Sequence, residues 1–220
     1  MKKNLILIIV LLSTNVFAHT DHYKKYNKIE MDILRNGELI GYNYYFFTRK
    51  GDETTVTNQI KFSVKLLGAT VFQVEGYGQE TYLNDQLISY ESKTLQNDKE
   101  KFVNLVFDKT KNKFNIKGSS YSGEASINNI IGNWWSHKIL QSDSQISPIS
   151  GSIKKQVVTF ISKEKIDLYG KTYEVDHFKL RSKDMNLPKD KRLDFDIWYD
   201  QKTSMILRVA YSRMGNWEYR

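Results

Sequence analysis

Between Val56 and Leu66 the chain changes character at every second residue. Val56, Ile60, Phe62, Val64 and Leu66 fall on one side, and Thr57, Gln59, Lys61, Ser63 and Lys65 on the other. Successive side chains of an extended strand point to opposite faces, so this run predicts a long antiparallel strand with one face buried. A helix would scatter the same residues around its circumference and bury lysines with the leucines.

The rhythm recurs on both sides of that strand. Residues 27–34 set Ile29, Met31 and Ile33 against Glu30 and Asp32; Asn36-Gly37 supplies residues that accept positive φ; and residues 39–49 follow with Tyr42, Tyr44, Tyr45, Phe46 and Phe47. Two such runs about a short Asn-Gly link predict a β-hairpin. Lys50-Gly51-Asp52 marks the next turn, and further strands are expected at 70–75, 79–83, 87–94, 101–107 and 113–117. Short polar turns between them imply a meander.

From Ser119 to Gly151 the pattern breaks down into Gly, Ser and Asn clusters around Ile130-Ile131 and Trp134-Trp135, and Ser126 is placed to cap a short helix reaching toward Leu140. Strands resume at 156–162, 165–169, 172–181, 192–199, 205–211 and 217–219. In the fourth of these, Leu193, Phe195, Ile197 and Tyr199 face one way, and Asp194, Asp196 and Trp198 the other. With no long helix and no linker rich in Pro, Ser or Gly, the expected fold is all-β. It is a strongly curved antiparallel sheet, or an open or closed barrel, with one short helical or irregular crossing segment. Curvature also disposes of the exposed edges that so many strands would otherwise present.

Composition narrows the setting. Met1-Lys2-Lys3, the apolar run Leu5 to Leu12 and the small residue at Ala18 have the order of a secretory signal peptide, so residues 1–18 are expected to be removed and residues 19–220 to form one domain in the bacterial periplasm. The apolar run is short for a bilayer span, and no transmembrane segment is expected once it is gone. Of 33 basic and 25 acidic residues, cleavage removes Lys2 and Lys3 and leaves a net charge of +6. The lysines are dispersed, as on a solvated face that blunts sheet edges, and no nucleic-acid partner is expected. There is no cysteine, which excludes disulfide staples, thiol chemistry and a lipidated N-terminal cysteine.

Candidate chemistry is sparse. His19 and His22 would sit at a new N-terminus with nitrogen ligands suited to copper, yet the spacing is undiagnostic and no metal is assigned. His137 and His177 lack a second ligand at metal-type spacing. Asp194 and Asp196 share one strand face, whereas a glycosidase pair converges across a cleft, and Asp200 reads as the residue that opens a turn. Gly118-Ser119-Ser120-Tyr121-Ser122-Gly123 does not spell a nucleophile elbow. No catalytic residue and no cofactor are therefore assigned. The aromatic residues remain. Tyr42, Tyr44, Phe46, Trp134, Trp135 and Trp198 are the candidates for lining a concave site for a lipid or other apolar molecule, against the alternative that they fill the core.

Several segments together carry a likeness: the Asn36-Gly37-Glu38-Leu39-Ile40-Gly41 hairpin, Arg49-Lys50-Gly51-Asp52, Glu80-Thr81-Tyr82-Leu83-Asn84-Asp85, Trp134-Trp135, Asp196-Ile197-Trp198-Tyr199-Asp200 and Trp217-Glu218-Tyr219. They resemble an uncharacterised family of exported bacterial all-β proteins, and more distantly the lipoprotein-carrier type of half-barrel. The chain departs from the family pattern at Asn84-Asp85-Gln86, where a turn glycine is usual, and at Arg213-Met214-Gly215, where an acidic residue usually precedes the glycine. The resemblance implies a curved sheet and, by analogy of fold, a non-enzymatic binder of a lipid or other apolar ligand at the cell envelope. A periplasmic hydrolase using strand-borne carboxylates and a structural or assembly partner are the alternatives.

Overall fold

The computed structural model describes residues 23–220. The expected leader and the pair His19 and His22 lie outside the described residues. One meander runs through β1 (Lys28–Arg35), β2 (Glu38–Lys50), β3 (Glu53–Leu66), β4 (Ala69–Leu83), β5 (Gln86–Gln96), β6 (Lys99–Asp108), β7 (Lys113–Gly118) and β8 (Ser122–Ser126). After β9 (Ile130–Ile131), a single 3-10 turn at His137–Leu140 and β10 (Ser144–Ile146), a second runs through β11 (Ile153–Leu168), β12 (Lys171–Ser182), β13 (Asp194–Asp200), β14 (Ile206–Ser212) and β15 (Asn216–Tyr219).

The strands form one 15-stranded sheet in the order β8-β7-β6-β5-β4-β3-β2-β1-β15-β14-β13-β12-β11-β10-β9. Pairing of β1 with β15 joins the two meanders, with Ile33 opposite Tyr219. All neighbours are antiparallel except β9 and β10. The edge strands β8 and β9 are linked only by residues 127–129, and such a link spans no more than about 14 Å. A flat sheet of this width would hold its edges roughly 65 Å apart. The sheet must therefore curl until its edges meet, as the sequence predicts.

The meeting is a seam without a strand ladder. The Ser120 amide donates to the Ser150 carbonyl at 2.9 Å, and Ser144 Oγ donates to Asn129 Oδ1 at 2.7 Å. Gly118 lets the two sides approach, since a Cβ there would stand 2.6 Å from the Ser150 carbonyl oxygen.

Three expectations are corrected. The runs read as separate strands at 70–75 and 79–83 are one strand, β4, because Gly76 and Gly78 are paired on both sides, to β3 and β5. Likewise β11 is continuous through Lys163 and Glu164, with a bulge at Ile161. No helix starts at Ser126; its hydroxyl accepts from the Asn128 amide at 3.2 Å and closes a local turn, and Ser136 instead caps the 3-10 turn.

The crossing segment between β8 and β11 folds into the barrel and fills one end. Ile131, Trp135, Ile139 and Ile146 are buried there in one cluster with Tyr23, Phe47, Val56 and Tyr82, and His137 is buried beside Tyr23.

Candidate ligand cavity

Trp135 anchors the filled end. Its indole packs edge-on to Tyr23, Phe47 and Tyr82, with ring centroids 5.3, 5.4 and 5.9 Å away. The Tyr23 hydroxyl accepts from the His137 amide at 3.0 Å and donates to the Ser204 carbonyl at 3.3 Å, which ties the start of the described chain to this plug.

Glu80, on the inward face of β4, marks the boundary between plug and hollow. Its Oε1 accepts from Asn133 Nδ2 at 2.6 Å and from Trp135 Nε1 at 2.9 Å, and its Oε2 accepts from the Tyr82 hydroxyl. Burial pushes the carboxyl up to about 7, and these three donors keep it from rising further. The same burial raises Tyr82, whose bond to Glu80 adds to the effect.

Beyond Glu80 the barrel is hollow. A cavity of about 1100 Å³ occupies the other end, with walls that include Ile60, Phe62, Phe72, Trp134, Phe195 and Trp217. The vacant space has a plain origin in β4 and β5. Their inward positions at this level are Gly76, Gly78, Ser92 and Thr94, where other strands carry aromatic or branched side chains. Ser92 Oγ and the Tyr90 hydroxyl both donate to the Pro148 carbonyl, at 2.7 and 2.8 Å, and so pin the loop that closes one flank.

The deep end of the hollow is polar. Asn58 Nδ2 donates to Asn43 Oδ1 at 2.6 Å, and Asn43 Nδ2 donates to the Tyr45 hydroxyl at 2.9 Å. That hydroxyl also accepts from the Trp134 amide at 3.1 Å, so its own proton is left for a further acceptor. Asn133, which lines the cavity, has its Nδ2 committed to Glu80, while its Oδ1 is buried and has no hydrogen-bond partner among the described residues. The Tyr45 hydroxyl thus stands at the deep end of a largely apolar chamber as a donor, while Asn133 Oδ1 is an orphaned acceptor closed off from water. Such a donor suits an oxygen acceptor on a largely apolar molecule.

The aromatic residues singled out from the sequence divide between the two faces of the sheet. Trp134 lines the cavity, packed at 5.0 Å against Phe195. Trp135 is in the plug. Tyr42, Tyr44 and Phe46 lie on the outer face, where Tyr42 and Tyr44 stack at 4.4 Å and the Lys28 ammonium covers Tyr44 and Phe46. The inward residues of β2 are Asn43, Tyr45 and Phe47. Trp198 also faces outward, stacked on His177 at 4.6 Å and covered by the Arg208 guanidinium. The expectation that these four residues line the concavity is corrected.

The titratable residues of β12 and β13 meet on that outer face. His177 Nε2 stands 3.0 Å from Asp196 Oδ1, and Lys179 reaches Asp194 at 2.8 Å and Asp196 at 2.7 Å. Burial alone would raise the Asp196 carboxyl, but its bonds to Lys179 and His177 outweigh that and hold it below the usual range. Glu164 of β11 joins them, its Oε1 3.6 Å from His177 Nδ1, so this is an ion-pair network over three neighbouring strands whose carboxylates share one outer face and do not converge across a cleft. Asp200 opens its turn as expected, accepting from the Thr203 amide at 3.0 Å. Among the described residues no group of three or more His, Asp or Glu is placed to hold a metal ion, and no helix is long and apolar enough to cross a membrane.

Comparison with solved structures finds the same architecture in a beta-barrel-like protein of domain of unknown function DUF1849 from Brucella abortus. The two align with a TM-score of 0.58 over 88% of this chain and 94% of that one, at 8% identity, so the likeness is one of fold. No curated protein matches the chain. The family model for the domain of unknown function DUF6134 matches residues 31–220, which takes in all of the sheet except the start of β1. The chain belongs to the DUF6134 family.

Proposed function

We propose that this is a non-enzymatic binding protein that holds a lipid or another largely apolar small molecule in the barrel, and that it does so in the periplasm after loss of its leader. The observation that carries the reading is the cavity of about 1100 Å³, slightly larger than the usual small-molecule site. Its walls are largely apolar, its deep end is lined by Tyr45 with its hydroxyl, and its size is set by small side chains on β4 and β5. A core built only for stability would fill such a space, since each unfilled volume forfeits packing energy. Hydrolysis by Asp194, Asp196 or His177 gains no support from their place in an outer-face ion network.

Native mass spectrometry of the protein, purified without detergent from the expressing cell, tests the reading. An adduct of defined mass that is released by organic solvent is the expected result. Repeated recovery of empty protein that also takes up no acyl probe would overturn it.

A further inference from the structure

The open end of the barrel is crowned by hairpin turns, and two of them carry side chains that their backbone does not favour. In a tight hairpin the first central residue has positive φ, a conformation suited to Asn or Gly. Asn36 and Asn97 fill that position in two turns at this end, with φ of +51° each. In the β3–β4 turn it is taken by Leu67, at +49°, and in the three-residue β14–β15 link the middle residue, Met214, also has positive φ, at +49°. Neither residue regains the cost by burial: Leu67 is 100% exposed and Met214 87% exposed. Leu66, Val71 and Met185 at the same end are also exposed. Large apolar side chains are thus held out in water at positions where asparagine would serve the turn better.

The surroundings of these tips are basic. Arg35, Lys154, Lys189, Arg192 and Arg213 line the mouth, against Asp190 and Asp194. Arg35 also donates to the Met214 carbonyl and so fixes that tip beside its own charge. Burial and the nearby Arg213 lower the Lys154 ammonium, so this cation gains from an anion at the mouth.

We propose that the mouth docks on an anionic lipid bilayer, with Leu67 and Met214 entering the interfacial layer and the basic residues of the rim meeting lipid phosphates. Separate apolar tips on a cationic ring fit a soft surface that offers negative charge above hydrocarbon. A protein partner would have to match tips that stand on different hairpins with cations between them. The inference rests on the rim alone and holds whatever the cavity contains.

The chain has no cysteine, so a single one can report position. Leu67→Cys in the full chain, labelled with an environment-sensitive fluorophore, is mixed with vesicles of equal phosphatidylglycerol and phosphatidylcholine. The expected result is a blue-shifted, stronger emission that is lost in pure phosphatidylcholine and weakened by salt. The same label at Lys109→Cys, in the turn at the far end of β6, stays silent. With the label moved to Met185→Cys, the added pair Leu67→Asn and Met214→Asn keeps or raises the melting temperature. That pair also raises the lipid concentration needed for half the response by roughly tenfold or more.

A silent label at Leu67→Cys, an equal response at Lys109→Cys or in phosphatidylcholine, or undiminished vesicle binding by the Asn pair would overturn the proposal. So would a response without lipid that grows with protein concentration, which would assign the tips to contact between copies of the chain. Retention of vesicle binding by a variant with a blocked cavity separates this inference from the reading of the hollow.

Discussion

The indole nitrogen of Trp135 donates to Glu80 Oε1 at 2.9 Å, joining the crossing segment to the middle of β4. A buried carboxylate that accepts from an indole, an amide and a phenol is held firmly, but it is costly to ionise. The plug is therefore fastened by a group whose charge changes near neutrality.

That bond makes stability depend on pH in a definite direction. Glu80 titrates at about 7 in the folded protein and near 4.5 when unfolded. Between those values the folded state holds the extra proton, so stability falls as pH rises and levels off above about 7. Urea unfolding of the wild type and Glu80→Gln, compared at pH 5 and pH 8, checks it. The wild type loses about 2–3 kcal/mol more than the variant over that interval.

Adjacent tryptophans should differ sharply. Trp135 is enclosed by three rings and satisfies Glu80, whereas Trp134 borders an empty space. Trp135→Ala is expected to cost about 3–5 kcal/mol in equilibrium unfolding, and Trp134→Ala clearly less, because its removal enlarges a hollow that already exists.

The seam has a steric requirement. A Cβ on Gly118 would meet the Ser150 carbonyl oxygen at 2.6 Å, and this contact is backbone that cannot swing aside. Gly118→Val should lower stability by about 1–3 kcal/mol. In hydrogen exchange the amide of Ser120, which bonds to Ser150 across the seam, should lose protection before the β3 and β4 amides do.

The strands and their curvature were legible in the sequence because the inward residues of β3, β6 and β13 keep a strict period of two. The face of β2 was not. An unbroken hairpin across Asn36-Gly37 would set Met31 opposite Tyr42 and Ile29 opposite Tyr44, and so send Tyr42 and Tyr44 inward. A bulge between Ile33 and Leu34 shifts the register by one, giving Met31 opposite Asn43 and Ile29 opposite Tyr45. One residue of slip exchanges the faces of a strand, and with aromatic side chains on both faces nothing in composition marks the slip. The hollow did leave a trace, in small residues at alternate positions 76, 78, 92 and 94. It was hidden because Gly76 and Gly78 read as a break between strands. The plug was illegible for another reason: its residues are ordered by packing inside the barrel and not by any period of their own.

Whether the hollow is a binding site is decided by titrating the full chain with a fluorescent acyl probe, beside Thr94→Phe, which places a ring in the cavity from a position where Thr94 Oγ1 now lies 3.1 Å from the Cβ position of Gly76. The wild type should saturate at one probe per chain. Thr94→Phe should bind roughly tenfold more weakly or less while unfolding at a similar temperature. Binding that never saturates, or an equal affinity in the two proteins, would contradict a ligand in the barrel.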